Sequence, residues 1–312
     1  MKAAQINAYG GQEVLVTTGD AEKPKAGKGQ VLIEVYAAGV NPFDWKVREG
    51  YMKEFIPLKL PATLGGDVAG IVAEIGESVS GFNIGDEVYG QANAAGGQGS
   101  YAEFTTVTSG QLAPKPKSVD FITAAAVPLA GTSALQAITE HINLQSGQKI
   151  LIHGGAGGIG SYAVQIAKHL GAYVATTASA EDADFVKKLG VDEVIDYKSE
   201  DFTAKISGYD AAFDTVGGET YTKSYQVLKQ GGVIVSMAEQ PDDELTKKYG
   251  VEAVTQQSKV TPERLVKLVE LVDKGIIKVK IGKVFPLEKA GEALEYLKQG
   301  RHQGKVVIKV RD

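Results

Sequence analysis

Three glycines carry the strongest chemical signal in the chain. Gly155, Gly157 and Gly160 lie in KILIHGGAGGIGSYAVQIAKHLGAYVATTAS, residues 149–179, and satisfy G-x-G-x-x-G. The pattern follows a short apolar strand, Lys149–His153. It opens a stretch, Gly158–Leu170, whose apolar residues recur at 159, 163, 166, 167 and 170 with a helical period. Glycine is needed here so that the chain can leave the strand sharply, bring backbone close to a pyrophosphate, and pack the helix tightly on its strand. The unpaired amides and positive end of the helix then hold the phosphates. Which dinucleotide binds is decided at the tip of the second strand, Tyr173–Ala178, where an acidic side chain would accept from the ribose 2′-hydroxyl and select NAD. Here the tip reads Thr177-Ala178-Ser179, small and neutral, which leaves room for a 2′-phosphate and favours NADPH. Glu181 and Asp182 follow closely, and the next cations are Lys187 and Lys188, so NADH stays open as the alternative.

No other constellation competes with this one. The 312 residues include no cysteine, which removes disulfides, thiolate zinc sites and a cysteine nucleophile. His141, His153, His169 and His302 lack ligand-like spacing, so no metal site is expected. A net charge of −5 without a basic stripe argues against nucleic acid as the main partner. The opening MKAAQINAYGG has neither the basic nor the apolar region of a signal peptide. The uncharged stretch Phe121–Thr139 contains Pro128, Gly131, Thr132, Ser133 and Gln136, and reads as a buried loop and helix, not a membrane span. The composition is that of a soluble globular protein, and the expected location is the cytoplasm.

These residues need a scaffold, and the length implies two domains, since single cores usually divide beyond roughly 250–300 residues. Residues 1–122 read as short strands between turn clusters: Val31–Ala37, Val68–Ile75, Glu87–Tyr89 and Ala102–Thr106. That rhythm suggests a compact β-barrel. Residues 123–277 alternate strands with helices. After Tyr173–Ala178 come a helix at Ala180–Leu189, strands at Glu193–Ile195 and Ala211–Asp214, a helix at Glu219–Leu228, a strand at Val233–Met237 and a helix at Pro262–Lys274. Such alternation means βαβ units and a parallel sheet. Segments Arg48–Thr63 and Pro241–Gln257 read as loops. From residue 278 a strand (Lys278–Phe285), a helix (Leu287–Leu297) and a last strand (Lys305–Val310) return to complete the first domain. Glycine, 38 in all, exceeds the usual ~7%, consistent with many tight turns.

At this point the chain resembles a zinc-free member of the medium-chain dehydrogenase/reductase superfamily, near the NADPH:quinone oxidoreductases. The matching segments include AAGVNPFDWKVREG (37–50), LGGDVAGIVAEIGESVSGFNIGDEVYG (64–90), GSYAEF (99–104), AAAVPLAGTSALQAI (124–138) and the glycine loop. LGVDEVIDY (189–197), YDAAFDTVGGE (209–219), GGVIVSM (231–237) and VFPLEKAGEALEYLKQGRHQGKVVI (284–308) extend it over essentially the whole chain. The resemblance implies an α/β protein, a Rossmann-type doubly wound parallel sheet domain plus a GroES-like β-barrel domain, with the site where they join. Where the alcohol-dehydrogenase branch has a zinc-binding Cys, this chain has Asn41. Where that branch has a His-Glu pair, it has Gly66-Asp67. Without a Lewis acid an alkoxide is poorly stabilised, which leaves hydride delivery to acceptors that are already electrophilic, a quinone or an α,β-unsaturated carbonyl.

By the same resemblance Gly155, Ala156, Gly157, Gly158, Ile159 and Gly160 hold the pyrophosphate of NADPH, and Ser179 and Tyr197 face the 2′-phosphate. Tyr197 has the alternative of a surface aromatic closing a turn. Thr132 either contacts the nicotinamide ribose or amide, or caps its helix. Val216, Gly217, Ser236, Met237 and Ala238 end successive strands and wall the nicotinamide pocket. Asp214 is expected only to fix the TVGG turn, and Asp44 to hold loop geometry. Asn41 is the polar candidate beside the nicotinamide, able to hydrogen-bond a carbonyl without titrating. Trp45 and Tyr51 form a substrate wall or plain packing. Lys305 reaches a phosphate or, more commonly for such a position, is solvated. No side chain stands out as a general acid. A homodimer is implied, with Val233–Met237 and Lys278–Phe285 extending a sheet across a two-fold axis. Two other readings remain: a 2-enoyl thioester reductase using Lys46, Arg48 and Lys53 for a carrier phosphate, and a non-enzymatic protein that binds NADPH or RNA.

Overall fold

The computed structural model describes residues 1–300 and 303–312; Arg301 and His302, the last of the four scattered histidines, lie outside the described residues. The chain forms two compact units, Met1–Leu129 with Val260–Asp312, and Ala130–Lys259.

The second unit is a six-stranded sheet, parallel throughout. Its order is Glu193–Asp196, Tyr173–Ala178, Lys149–His153, Tyr209–Asp214, Leu228–Ser236 and Glu252–Thr255. Numbered along the chain this is 3-2-1-4-5-6, the doubly wound order of the Rossmann type. The chain reverses direction across the sheet after its third strand, the order in which right-handed crossovers put helices on both faces. Ile150, Leu151 and Ile152 are fully buried, as a central strand covered on both faces must be. Thr177 stands beside His153 and Phe213 beside Ile152, so the carboxyl ends of the three central strands are nearly level.

In the first unit a seven-stranded sheet runs Ile281–Pro286, Lys305–Lys309, Gln30–Val40, Asp67–Ile75, Glu87–Gln91 and Leu112–Pro114, with Phe104–Thr108 also paired to Gln30–Val40. A smaller sheet joins Leu15–Thr18, Ala3–Ile6 and Ala62–Thr63. The last strand returns to this unit as expected, antiparallel to Gln30–Val40. Helix Pro42–Arg48 starts at Asn41 with Pro42 in its first turn, a position where a missing N–H costs nothing. Its end is clamped by Arg48, wholly buried, whose Nη2 donates to Glu49 Oε1 at 2.7 Å and Glu295 Oε1 at 2.6 Å.

Several sequence expectations need correction. Helix Pro262–Asp273 belongs to the first unit, so the boundaries fall at 129/130 and 259/260, not at 122 and 278. Tyr89 Oη donates to the Leu265 carbonyl at 2.7 Å, and Asp273 accepts from the Ser118 amide at 2.9 Å. Pro241–Gln257 is no loop: it holds helix Asp243–Tyr249 and the edge strand Glu252–Thr255. That helix packs only half-buried Leu245 and Tyr249 on the core, a single i, i+4 pair and too short a period to read; its other signals are the Asp242 cap, which accepts from Glu244 and Leu245 amides, and Gly250 at φ 63°. The helix expected at Ala180–Leu189 is a 3-10 turn, Ala180–Asp182, followed by Ala183–Lys188, and that at Glu219–Leu228 ends at Ser224. The strand expected at Val233–Met237 is Leu228–Ser236, flanked on both sides. It has no free edge to offer a partner, and it shares no sheet with Ile281–Pro286.

Candidate functional site

In the second unit the glycine turn is built by close approach. A Cβ on Gly155 would meet Thr176 Oγ1 at 2.1 Å, and one on Gly160 would meet the Gly154 carbonyl oxygen at 2.2 Å. At Gly157 the sole near atom is that same carbonyl oxygen, at 3.2 Å, so this face of the turn stays open to a ligand. Helix Gly160–His169 starts two residues later than its apolar period suggests. As a result the amides of Ala156, Gly158, Ile159 and Gly160 donate to no acceptor among the described residues, while Gly157 N–H is taken by the Gly154 carbonyl at 2.9 Å. Four open donors beside an open backbone face make an anion cradle.

Thr132 lies within helix Pro128–Gln136, so it does not cap it, and its buried hydroxyl has no partner among the described residues. Gln256 Oε1 is likewise buried and unpartnered, although its Nε2 donates to the Ser133 carbonyl at 2.9 Å. Asp214 performs the structural task expected of it: Oδ1 accepts from the Val216 and Gly217 amides, both at 3.0 Å, and Oδ2 from Ser236 Oγ at 2.8 Å. Ser236 Oγ also accepts from the Ala238 and Glu239 amides at 3.1 and 3.0 Å. The serine is therefore consumed in holding the two turns together. Val216 is exposed at the end of its strand, and Met237 lies just past the end of the next.

At the tip of the second strand Ser179 Oγ donates to Asp182 Oδ2 at 2.8 Å. Tyr197 is 61% exposed and its amide donates to the Ala178 carbonyl at 3.3 Å. Parallel pairing of Ala178 with Asp196 also brings in a residue that sequence inspection missed, Lys198, whose Nζ stands 3.7 Å from Glu181 Oε2. Counting along the chain found no cation nearer than Lys187; the sheet register supplies one.

The first unit gathers its ionisable groups in a buried chain. Asn41 Nδ2 donates to Asp67 Oδ2 at 2.8 Å, and Asn41 Oδ1 accepts from Lys305 Nζ. Lys305 Nζ also donates to the Val40 carbonyl at 3.1 Å and lies 3.7 Å from Asp67 Oδ2. Lys305 is thus neither solvated nor placed for a phosphate: it is 4% exposed and spends its proton donors on the Asn41 neighbourhood. Asp67 Oδ1 accepts from the Leu129 amide at 3.0 Å. Asp44 Oδ2 accepts from both the Asn41 amide and Tyr101 Oη, each at 2.8 Å. Burial pushes Asp44 up to about 7, against the pull of these two donors, and the Asp67 charge adds to the rise. Burial likewise raises Asp67 and lowers Lys305, each opposed by the other's charge. Among the described residues no three His, Cys, Asp or Glu groups are placed to hold a metal ion.

Trp45 and Tyr51 do come together, ring centroids 5.9 Å apart and edge-on, with Lys298 Nζ 5.1 Å from the Trp45 ring. Tyr51 is 68% exposed, more than core packing allows. Arg48, by contrast, is sealed in its pairs with Glu49 and Glu295 and cannot serve a carrier phosphate.

Residues 27–117 match the family model described as an alcohol dehydrogenase GroES-like domain, and residues 189–308 that described as a zinc-binding dehydrogenase. The chain is 34% identical over 325 residues to the chloroplast envelope quinone oxidoreductase homolog of Arabidopsis thaliana, covering 99% of this chain and 98% of the relative. It is 36% identical over 317 residues to the chloroplastic NADPH-dependent alkenal/one oxidoreductase of the same plant, covering 99% and 79%. The solved quinone oxidoreductase of Coxiella burnetii is similar at a TM-score of 0.92 and 36% identity, over 100% of this chain and 99% of that one.

The raised Asp44 carboxyl makes a stability prediction. A carboxyl whose folded value lies above its unfolded value stabilises the fold while protonated, and that contribution is lost as pH rises through the folded value. Asp44→Asn keeps an oxygen for both donors and cannot ionise. Between about pH 4 and about pH 8 the unmodified protein should lose stability relative to Asp44→Asn, on the order of 1–3 kcal/mol, read by denaturant unfolding at several pH values. Parallel pH profiles would show that Asp44 is already ionised in the fold.

Proposed function

The chain belongs to the zinc-free, quinone-oxidoreductase-like part of the medium-chain dehydrogenase/reductase superfamily, and from that premise we propose that it is an NADPH-dependent reductase of quinones or α,β-unsaturated carbonyls. The observation that carries the reading is the cradle at residues 155–160: open amides, an open backbone face at Gly157, and the orphaned Thr132 hydroxyl in the same unit. Those are groups that a dinucleotide would satisfy. When bound, NADPH supplies the hydride.

The residues divide the remaining work. The amides of Ala156, Gly158, Ile159 and Gly160 hold the pyrophosphate, and Thr132 orients the nicotinamide end. Val216, Gly217, Met237 and Ala238 wall that end, on turns that Asp214 and Ser236 keep rigid. Ser179 and Tyr197 flank the 2′-phosphate, and Lys198 supplies the positive charge there. In the first unit Asn41 is fixed at both ends of its amide, with one Nδ2 hydrogen left for an acceptor carbonyl. Trp45 and Tyr51, packed edge to face, offer an apolar wall for a quinone or enone. The product anion, an enolate or hydroquinone anion, takes its proton from solvent, since none of these side chains is an exposed acid. The thioester alternative loses support because Arg48 is sealed away.

The reading includes a cytoplasmic homodimer. Among the described residues Glu252–Thr255 leaves one edge of the parallel sheet unpaired, where a second copy could add, and no described helix is long and apolar enough to cross a membrane. The two plant relatives quoted above are chloroplastic by name. Light scattering at micromolar concentration should give twice 32.9 kDa; a monomer mass overturns the dimer.

Two kinetic outcomes are expected. Incubated with NADPH and a naphthoquinone or an alkenal, the protein should consume the nicotinamide absorbance; activity with crotonyl-CoA alone would favour the thioester reading, and no turnover with any acceptor the binding-protein reading. Lys198→Ala should raise KM for NADPH by roughly three- to tenfold, the scale of one partly solvated ionic contact to phosphate, and leave KM for NADH unchanged. Equal effects on both cofactors would remove Lys198 from the 2′-phosphate.

A further inference from the structure

We infer that His153, neutral and carrying its proton on Nε2, is a positioning residue for the dinucleotide: it aims the Thr177 hydroxyl that pins the entry of the glycine turn. The inference rests on the reading that NADPH lies on that turn.

His153 is the last residue of the central strand and is fully buried, its ring 4.9 Å from that of Phe202. Nδ1 lies 3.2 Å from Thr177 Oγ1, and Nε2 lies 2.8 Å from Ser224 Oγ. Thr177 Oγ1 already accepts from the Gly154 amide at 3.2 Å, and Ser224 Oγ donates to the Thr220 carbonyl at 2.6 Å. These two outer bonds fix the tautomer. With its proton spent on Thr220, Ser224 can only accept, so Nε2 must be the donor. Nδ1 is then an acceptor, and the Thr177 hydroxyl donates to it. The opposite tautomer leaves Nε2 and the Thr220 carbonyl competing for the single Ser224 proton. Burial also pushes the imidazole down to about 4, which keeps the second proton off at ordinary pH.

The consequence reaches the ligand through Thr177. Its side chain holds the Gly154 amide and its carbonyl holds the Gly155 amide at 3.2 Å, so one residue sets the first two peptides of the turn. Thr215 Oγ1 donates to the His153 carbonyl at 2.8 Å, tying the neighbouring strand to the same point. Remove the Nδ1 acceptor, and the threonine hydroxyl turns toward a carbonyl of its own backbone and releases Gly154.

Two amide substitutions separate the halves of the ring. His153→Asn places a carbonyl oxygen near the Nδ1 position and leaves Ser224 unserved. His153→Gln reaches the Nε2 position and leaves Thr177 without an acceptor. Titration with NADPH should show binding within about twofold of the unmodified protein for His153→Asn and roughly three- to tenfold weaker for His153→Gln, with kcat at saturating cofactor preserved. Thr177→Val should weaken binding similarly, and combining it with His153→Gln should add nothing, since both cut one path. Nitrogen-15 spectra of the unmodified protein should show an unprotonated Nδ1 and a protonated Nε2, unchanged across neutral pH. A proton on Nδ1, equal weakening by both amide variants, or additive losses in the double variant overturns the inference. Failure of the unmodified protein to bind NADPH instead overturns the proposed function, and the spectra still decide the hydrogen-bond assignment.

Discussion

The separation between Gly155 and Thr176 is the constraint on which the nucleotide half depends. At 2.1 Å from a hydroxyl oxygen there is no place for a Cβ, so the turn leaving the central strand can press against the second strand solely because residue 155 lacks a side chain. That contact delays the start of the helix to Gly160 and leaves a row of amides facing outward with nothing among the described residues to receive them. The doubly wound order then matters in a simple way. It brings the ends of Lys149–His153, Tyr209–Asp214 and Leu228–Ser236 to a nearly common level, so that the turns after them all occur at one end of the sheet. A binding surface made of backbone is insensitive to pH and ionic state, which suits a site whose reactivity comes with its ligand.

The first unit solves a different problem. It buries Asp44, Asp67 and Lys305, groups whose charged forms are costly away from water, and does so around an amide that cannot titrate. Asn41 works as the connector, receiving from the ammonium on one side and donating to a carboxylate on the other. The resemblance places Asn41 and Asp67 where related dehydrogenases put metal ligands. In this chain an organic cation stands among those positions, and the local charge is set by lysine.

How much of this was legible follows from the range of each signal. The glycine turn was readable because its determinants lie within six residues and each glycine has a steric reason. The helix at Pro262–Asp273 was readable as an element but not in its allegiance, which depends on a bond between residues 176 positions apart. Asp243–Tyr249 escaped notice because one half-buried pair, Leu245 and Tyr249, is too short a period to read. Lys198 and Lys305 were misjudged for the same cause: a lysine's partners are chosen by strand register and by contacts over 264 residues, and neither is visible to a window sliding along the chain. Thr132 shows the reverse case, where the sequence left two roles open and the position inside a helix removed one.

The return of the last strand has a consequence for biosynthesis. Lys305 reaches Val40 across 265 residues, so a ribosome finishes the whole Ala130–Lys259 unit before it makes the ammonium that Asp67 is paired with. Until then the earlier sheet lacks two strands and holds a carboxylate and an amide without their cation. Vectorial synthesis therefore favours maturation of the inserted unit first, with the unit that begins the chain completed last.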